Sequence, residues 1–462
     1  LPKKNITPEL ISAVNNRTIL EGDVLEKIKD IPDESIDLIC TDPPYGYSFM
    51  NKDWDKVVIN SDVWRECLRV LKPGSFAFVM SAPRQDVLFR VTKNLGDAGF
   101  NIGFTSLYWA YASGFPKAMN VSKAVDKRLG IESEIIGYKK NLGHLERGDK
   151  NIDKQTVQHL DTIFTENKGK EFETKPTSPQ AKKLDGAYAG FQPKPAVEVI
   201  LVCMKPLSQK NYVEQALYNQ KGVTWFDDCR IPYKNENDVD KSMWSHWKGA
   251  TPSGSEVYSW NKEKGKTDYV GGASNKGRFP ANLIVSDNAL DDGKIYKPSG
   301  EGKLGKTVHR SSKLFSGYND LIAHVPGDEG SFSRYFDLDL WEAQFIITPK
   351  PSKSEKNEGL DNFTGKKVND GRKIDADNAF QRGKTQRQNT HPTVKPVSLF
   401  KYLVTMGSRP DDTVLDPFMG SGTTAIACEK LARNWIGIEI NPEYREIIKA
   451  RIEKHRKQER LF

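Results

Sequence analysis

The stretch "TVLDPFMGSGTT", residues 413–424, begins as a short apolar run of strand type, passes an Asp-Pro pair, and ends in glycines and hydroxyls. Glycines at 420 and 422 let the backbone approach a ligand closely. The segment "GSGTTAIACEKLA" (420–432) then reads as a loop and helix, whose first turn offers free N–H groups. A lone glycine-rich loop is a weak signal. Here a second strand, "WIGIEI" (435–440), brings Glu439 about 20 residues further on, where an acid can accept hydrogen bonds from ribose hydroxyls. The pair reads as a nucleoside cofactor site. The loop lacks G-K-[ST], which speaks against a phosphate-binding loop. It also lacks G-x-G-x-x-G, so the two glycines alone are all that would support a hydride carrier.

The rest of the C-terminal end and the first 110 residues share this grammar. "PEYREIIKARIEKHRKQ" (442–458) reads as a helix with Pro at its first turn. At the other end "RTIL" (17–20) reads as a strand, "DVLEKIKDI" (23–31) as a short helix and "IDLIC" (36–40) as a buried strand. "SDVWRECLRVLKPG" (61–74) reads as a helix capped by Ser61 or Asp62 and stopped at Pro73-Gly74. "SFAFVM" (75–80) is a strand, "RQDVLFRVTKNLGDAG" (84–99) an amphipathic helix and "IGFTSLYWA" (102–110) a strand. Such alternation predicts a mostly parallel α/β sheet wound on both faces.

Between the two ends the chain changes character. Residues 139–188 are polar and lysine-rich and read as a long mobile insertion. "PAVEVILVCMK" (195–205) is a strong strand. Residues 210–345 lose the parallel-sheet rhythm and read as a separate inserted domain, with four tryptophans within 225–260. "WEAQFIITP" (341–349) reads as a returning strand, and 350–392 is polar again.

The second constellation is "TDPPYG", 41–46, directly after the strand "IDLIC". Two prolines forbid helix and remove two N–H donors. What remains is a stiff elbow with a carboxylate (Asp42), carbonyls without neighbouring donors, and a flat ring (Tyr45). It suits a planar substrate that carries an N–H donor. An ordinary surface turn is the bland alternative, disfavoured by the elbow's place at the carboxyl end of a buried strand, where ligands bind in open α/β sheets.

Bulk properties set the frame. The 462 residues are 28% charged and 37% apolar, and the net charge is +8, a mild hint of an anionic partner. Length predicts two or three units. No apolar run is long enough to span a membrane, and "LPKKNITPEL" has no apolar signal core, so the expected location is the cytoplasm. The five cysteines form no C-x-x-C pair and the seven histidines no paired metal spacing, so no metal is expected; Cys40, Cys203 and Cys428 read as small buried hydrophobes.

Loop and elbow together resemble the S-adenosylmethionine-dependent amino-methyltransferases of DNA. The order, elbow first and cofactor loop last, resembles the β group of that family. "NTHPTVKP" (389–396) resembles the segment that closes over the methionine end of the cofactor, and "GD" (22–23) the contact to its adenine. The resemblance covers roughly 17–126, 190–206 and 385–455. It implies a doubly wound, Rossmann-like methyltransferase sheet in circularly permuted order, with an inserted target-recognition domain. The implied divisions are 1–126 and 389–462 (catalytic), 127–189 (polar insertion), 190–206 (sheet strand), 207–345 (target recognition) and 346–388 (polar loop).

By the same resemblance S-adenosyl-L-methionine is held by Asp23, His391, Thr393, Lys395, Asp416, Pro417, Phe418, Gly420, Ser421, Gly422, Thr423, Glu439 and Asn441. The target amine is met by Asp42, Pro43, Pro44 and Tyr45. Asp42 and a proline carbonyl accept the two amino N–H groups, which turns the nitrogen lone pair toward the methyl group. Tyr45 stacks on the base, which must flip out of the duplex. The partner expected is double-stranded DNA; homodimerisation and a restriction endonuclease partner stay open. Adenine N6 is favoured over cytosine N4, because Asp stands first in the elbow. RNA or protein-amide methylation, or a DNA-binding module with a degenerate cofactor site, are the rivals. Asp23 could instead cap its helix, and His391 and Lys395 could be ordinary loop residues. Trp54 could pack in the core or close over the base, and the aromatics of 225–260 fit a small-domain core as well as a base-reading surface.

Overall fold

A computed structural model describes residues 17–46, 58–111, 118–132, 134–138, 172–191, 193, 196–233, 277–285, 353–367 and 386–459. The expected strand 341–349, Trp54 and three of the four tryptophans of 225–260 lie outside the described residues; Trp225 lies within them.

Chain order runs β1 (Thr18–Glu21), α1 (Val24–Lys27), β2 (Ile36–Thr41), α2 (Ser61–Val70), β3 (Leu71–Ser81), α3 (Gln85–Ala98), β4 (Leu107–Ala110), α4 (Val121–Leu129), β5 (Glu134–Tyr138), β6 (Phe172–Lys175), α5 (Pro179–Lys182) and β7 (Val197–Met204). It continues with α6 (Tyr212–Asn219), β8 (Leu283–Val285), α7 (Lys353–Asn357), β9 (Lys366–Lys367), β10 (Gln386–Arg387), α8 (Val397–Gly407), β11 (Thr413–Asp416), α9 (Thr423–Lys430), β12 (Asn434–Glu439) and α10 (Pro442–Glu459).

The chain divides into two compact units. The first comprises Leu1–Ala112, Val197–Asp361 and His391–Phe462 and holds an eight-stranded sheet in the order β1-β12-β11-β2-β3-β7-β4-β8. From β1 to β3 every neighbouring pair is parallel, whereas β7 runs antiparallel to both β3 and β4. Alternate residues feed two cores, as the period of two requires. Leu38, Cys40, Phe78 and Val414 face α8, α9 and α10 through Phe400, Ile426 and Ile448. Ile39, Ala77, Val79 and Leu415 face α2 and α3 through Trp64, Cys67 and Leu95. The sheet is thus doubly wound, with β1 and β2 flanking the β11–β12 pair as the permuted order requires. All five cysteines are buried.

Several boundaries shift. The predicted helix 61–74 ends at Val70, and its cap is Asn60, whose side chain accepts from the N–H groups of Asp62 and Val63. Leu71 already pairs with Ile36, so Pro73-Gly74 lies in β3 and not at a helix stop; Gly74, at φ +80°, donates its N–H to the Lys205 carbonyl. Strand 102–110 shortens to Leu107–Ala110. β8, from inside the segment read as a target-recognition domain, pairs parallel with β4, and Cys229, Ile231 and Ile284 join the core. That part of 207–345 therefore belongs to the main sheet.

The second unit comprises Ser113–Ala196 and Asn362–Thr390. Its α4 and α5 are tied by buried Asp126, which accepts from Ser178 Oγ at 2.6 Å and from the Thr177 and Ser178 N–H groups. Of the stretch read as a polar insertion, residues 172–189 thus carry a strand and a helical turn. Three undescribed stretches leave and return through antiparallel pairs. These are 139–171 at Tyr138↔Phe172, 234–276 beside the Ile231↔Arg278 bridge, and 368–385 at Lys367↔Gln386.

Candidate active site

Strand order reverses between β11 and β2. From β11 the chain moves through α9 to β12 on one side; from β2 it moves through α2 to β3 on the other. The two strands are themselves paired, Val414↔Leu38 and Leu415↔Ile39. Their following loops, 416–422 and 42–46, therefore emerge side by side at the carboxyl ends, where such sheets bind ligands. Buried Asp416 links them. It accepts from Thr41 Oγ1 at 2.6 Å, from Thr424 Oγ1 at 2.5 Å and from the Phe418 N–H at 3.0 Å. Burial pushes its pKa up to about 6 despite these bonds. Its oxygens serve the loop architecture, a role the sequence reading did not separate from ligand contact.

Glu439 ends β12 and is buried. One oxygen accepts the Gly420 N–H and the other the Asn441 N–H, both at 2.8 Å. Burial outweighs these bonds and lifts its pKa to about 7. Each carboxylate oxygen retains a second lone pair. Gly420 and Gly422 sit at φ +55° and +83°. A Cβ on Gly420 would stand 2.8 Å from His391 Nε2, so the imidazole closes directly over the loop. His391 also packs edge-on against Tyr444, accepts the Thr393 N–H at Nδ1 and stays neutral, with burial first and then Lys395 and Arg451 pulling its pKa to about 3. Met419 lies over Gly437, where a Cβ would come within 2.0 Å of its Cε. Arg451, fully buried, donates to the Ser421 carbonyl at 2.6 Å. Pro417 is buried, and Phe418 meets Trp64 edge-on at 6.2 Å.

Asp23 and Asn441 carry helix caps. Asp23 accepts the Leu25 N–H and begins α1, while Asn441 accepts the Glu443 N–H and begins α10. Both lie beside Glu439, since Glu21 pairs with Glu439, the Gly22 N–H bonds the Glu439 carbonyl and the Asn441 N–H bonds its carboxylate.

The elbow holds more than the sequence revealed. Tyr45 donates its hydroxyl to Asp42 Oδ1 at 2.7 Å and lies 3.2 Å from Glu198 Oε2. Lys395 pairs with Asp42 Oδ2 and stands 3.3 Å from Glu198 Oε2. Its ammonium is 5.6 Å from the Tyr45 ring centroid. The Lys395 side chain thus reaches the elbow, while its carbonyl accepts from Thr423 Oγ1 after the glycine loop. Burial lowers the ammonium's pKa, but Asp42 and Glu198 more than restore it, so Lys395 is charged. Burial drives the Glu198 pKa up against the pull of Lys395. Burial, then Asp42 and Glu198, raise that of the Tyr45 hydroxyl. Pro43 is buried and Pro44 half-buried, as a stiff strand end requires. Glu198, at the start of β7, was not singled out in the sequence, although an acid inside "AVEVILVCM" was a signal.

A profile of the DNA methylase family (N6/N4 methyltransferases) matches residues 36–450. The chain belongs to that family. Among curated proteins it is 44% identical over 68 residues to the type II methyltransferase M.HpaI of Haemophilus parainfluenzae, covering 15% of this chain and 22% of that protein. It is 53% identical over 62 residues to the type II methyltransferase M1.MboII of Moraxella bovis, covering 13% and 24%. The matches thus span about a quarter of the length of these relatives. Among solved structures, the cytosine-N4-specific PvuII DNA methyltransferase aligns over 96% of this chain and 90% of its own, at 14% identity and a TM-score of 0.40.

Proposed function

We propose that the chain is a site-specific DNA methyltransferase that moves a methyl group from S-adenosylmethionine to the exocyclic N6 amine of an adenine flipped out of the duplex. The observation that carries this reading is the junction of a ribose-accepting edge and an acid elbow at one switch point, tied through Asp416. The cofactor fits the residues present. Glu439 is a buried acceptor with unused lone pairs, the loop glycines leave no Cβ in the way, and His391 covers the loop. The bound cofactor supplies an already activated methyl group. What the chain supplies is position. Asp42 and the Pro43 carbonyl accept the two amino N–H groups, which localises the nitrogen lone pair and stabilises the charge that develops on it. Tyr45 offers a ring of fixed orientation beside them for stacking on the extruded base.

Duplex DNA is the partner this reading requires, in keeping with the net charge of +8. Recognition is assigned to the inserted segment 207–345 outside Cys229, Ile231 and Leu283–Val285, which join the core and the main sheet, and 234–276 is the part to test first. Purified protein with S-adenosylmethionine should methylate unmodified DNA at one short motif. Single-molecule sequencing of that DNA separates N6-methyladenine from N4-methylcytosine, and the latter outcome would replace the assigned base while keeping the chemistry. Replacing 234–276 with a short linker should preserve cofactor binding and abolish motif-specific methylation. Continued modification of the same motif would place recognition elsewhere.

A further inference from the structure

In the described conformation the acceptor meant for the target amine is already occupied. Tyr45 takes one oxygen of Asp42 and Lys395 the other. Each oxygen keeps a second lone pair, but the Lys395 ammonium weakens Asp42 as an acceptor and opposes the positive charge that develops on the amine, so an incoming amine competes with that donor. The structure also provides a destination. Glu198 Oε2 lies 3.3 Å from the same ammonium and 3.2 Å from the Tyr45 hydroxyl, and Glu198 is hydrogen-bonded with Tyr111. The Lys395 main chain is pinned between the Thr423 contact and the buried start of α8, so only the side-chain tip is free to travel. One cation thus stands between two carboxylates, one of which the proposed reaction needs free.

We propose that Lys395 holds the amine's place on Asp42 in the resting enzyme and transfers its hydrogen bond to Glu198 when the base enters, which makes Glu198 a positioning residue for methyl transfer. This inference rests on the functional reading above. Without a second seat, the ammonium stays on Asp42 and competes with the amine. The exchange also keeps a cation on half-buried Asp42 until the substrate arrives.

The test uses full-length Glu198→Gln, Lys395→Met and the double variant, with S-adenosylmethionine affinity and thermal melting as fold controls. Glu198→Gln should slow single-turnover methylation at saturating DNA on the order of tenfold to a hundredfold, the scale of one misplaced charge-assisted hydrogen bond, with cofactor affinity unchanged. Adding Lys395→Met should recover at least about tenfold of that loss, since it removes the competitor. A merely structural triad predicts the opposite, a further loss. A second readout needs no Glu198 variant. The ammonium resonance of 15N-lysine-labelled protein that is lost in Lys395→Met should shift on adding the target duplex with S-adenosylhomocysteine. A Glu198→Gln rate within twofold of wild type, a double variant no faster than the single one, or an unmoved resonance overturns the inference. A wild-type protein that binds cofactor yet methylates no DNA overturns the functional reading, and this inference with it.

Discussion

The amino and carboxyl edges of the parallel strands treat buried carboxylates in opposite ways. At the start of β2, Asp37 is met by Lys72 at 2.6 Å, Lys221 at 2.8 Å and the Thr413 N–H at 2.9 Å. Burial pushes its pKa up, but the two ammonium groups win and hold it below the ordinary 3.8. At the carboxyl edge, Asp416 and Glu439 are bonded by hydroxyls and N–H groups, and neither makes an ion pair among the described residues. There burial wins, and their pKa values rise to about 6 and about 7. Asp42 and Glu198 share a single cation. The amino end spends its charges on holding the sheet. The carboxyl end leaves acceptors short of cations, as a site for donor-bearing ligands must.

Four substitutions press on this contrast. The largest effect is expected for Asp42→Asn, which should reduce methyl transfer on the order of a thousandfold while leaving cofactor affinity unchanged; single-turnover rates paired with calorimetry read both. Asp37→Leu comes next. It leaves Lys72 without this partner and Lys221 with Asp412 alone, and should cost about 3 kcal/mol of stability in urea unfolding, with the folded fraction still binding cofactor. The stabilisation from Asp37 is present above its ordinary pKa and is lost as pH falls through its lower, folded value. Third, Glu439→Gln should weaken S-adenosylmethionine by about 1–3 kcal/mol in a calorimetric titration, the scale of a hydrogen bond to a charged acceptor. Because the folded pKa of Glu439 lies above its ordinary 4.5, its ionisation opposes folding, and stability falls as pH rises from about 4.5 through about 7. Glu439→Gln should therefore be relatively more stable at pH 8 than at pH 5. The smallest effect belongs to Asp416→Asn. The amide keeps an acceptor for Thr41 or Phe418, and the Thr424 hydroxyl can turn to accept, so the change in melting should stay within about 1 kcal/mol.

Much of the loop and strand-end geometry from β11 to β12 was legible in the sequence because its signals are local. A strand, glycines at 420 and 422, and an acid ending the next strand all lie within 27 residues, 413–439. The elbow was legible for the same reason. Its partners were not. Lys395 and Asp42 are 353 residues apart, and only the sheet order brings them together. Glu198 was visible only as an acid inside an apolar strand, with nothing local to say what faced it. The three-residue β8 carries too little pattern to be seen without its pairing to β4. Asp23 shows the converse limit. The residue type serves a cap and a ligand contact equally well, and the structure shows the cap.

We propose that the carboxyl edge leaves Glu439 without an ion pair among the described residues so that the cofactor can use it. Titrating wild-type protein with S-adenosylmethionine between pH 5.5 and 8, in buffers of different ionisation enthalpy, tests this directly. Ribose donors favour the ionised carboxylate, so binding should tighten as pH rises toward about 7 and release a proton below it, and both effects should vanish in Glu439→Gln. Affinity that is flat across this range, with no proton released, would contradict the account.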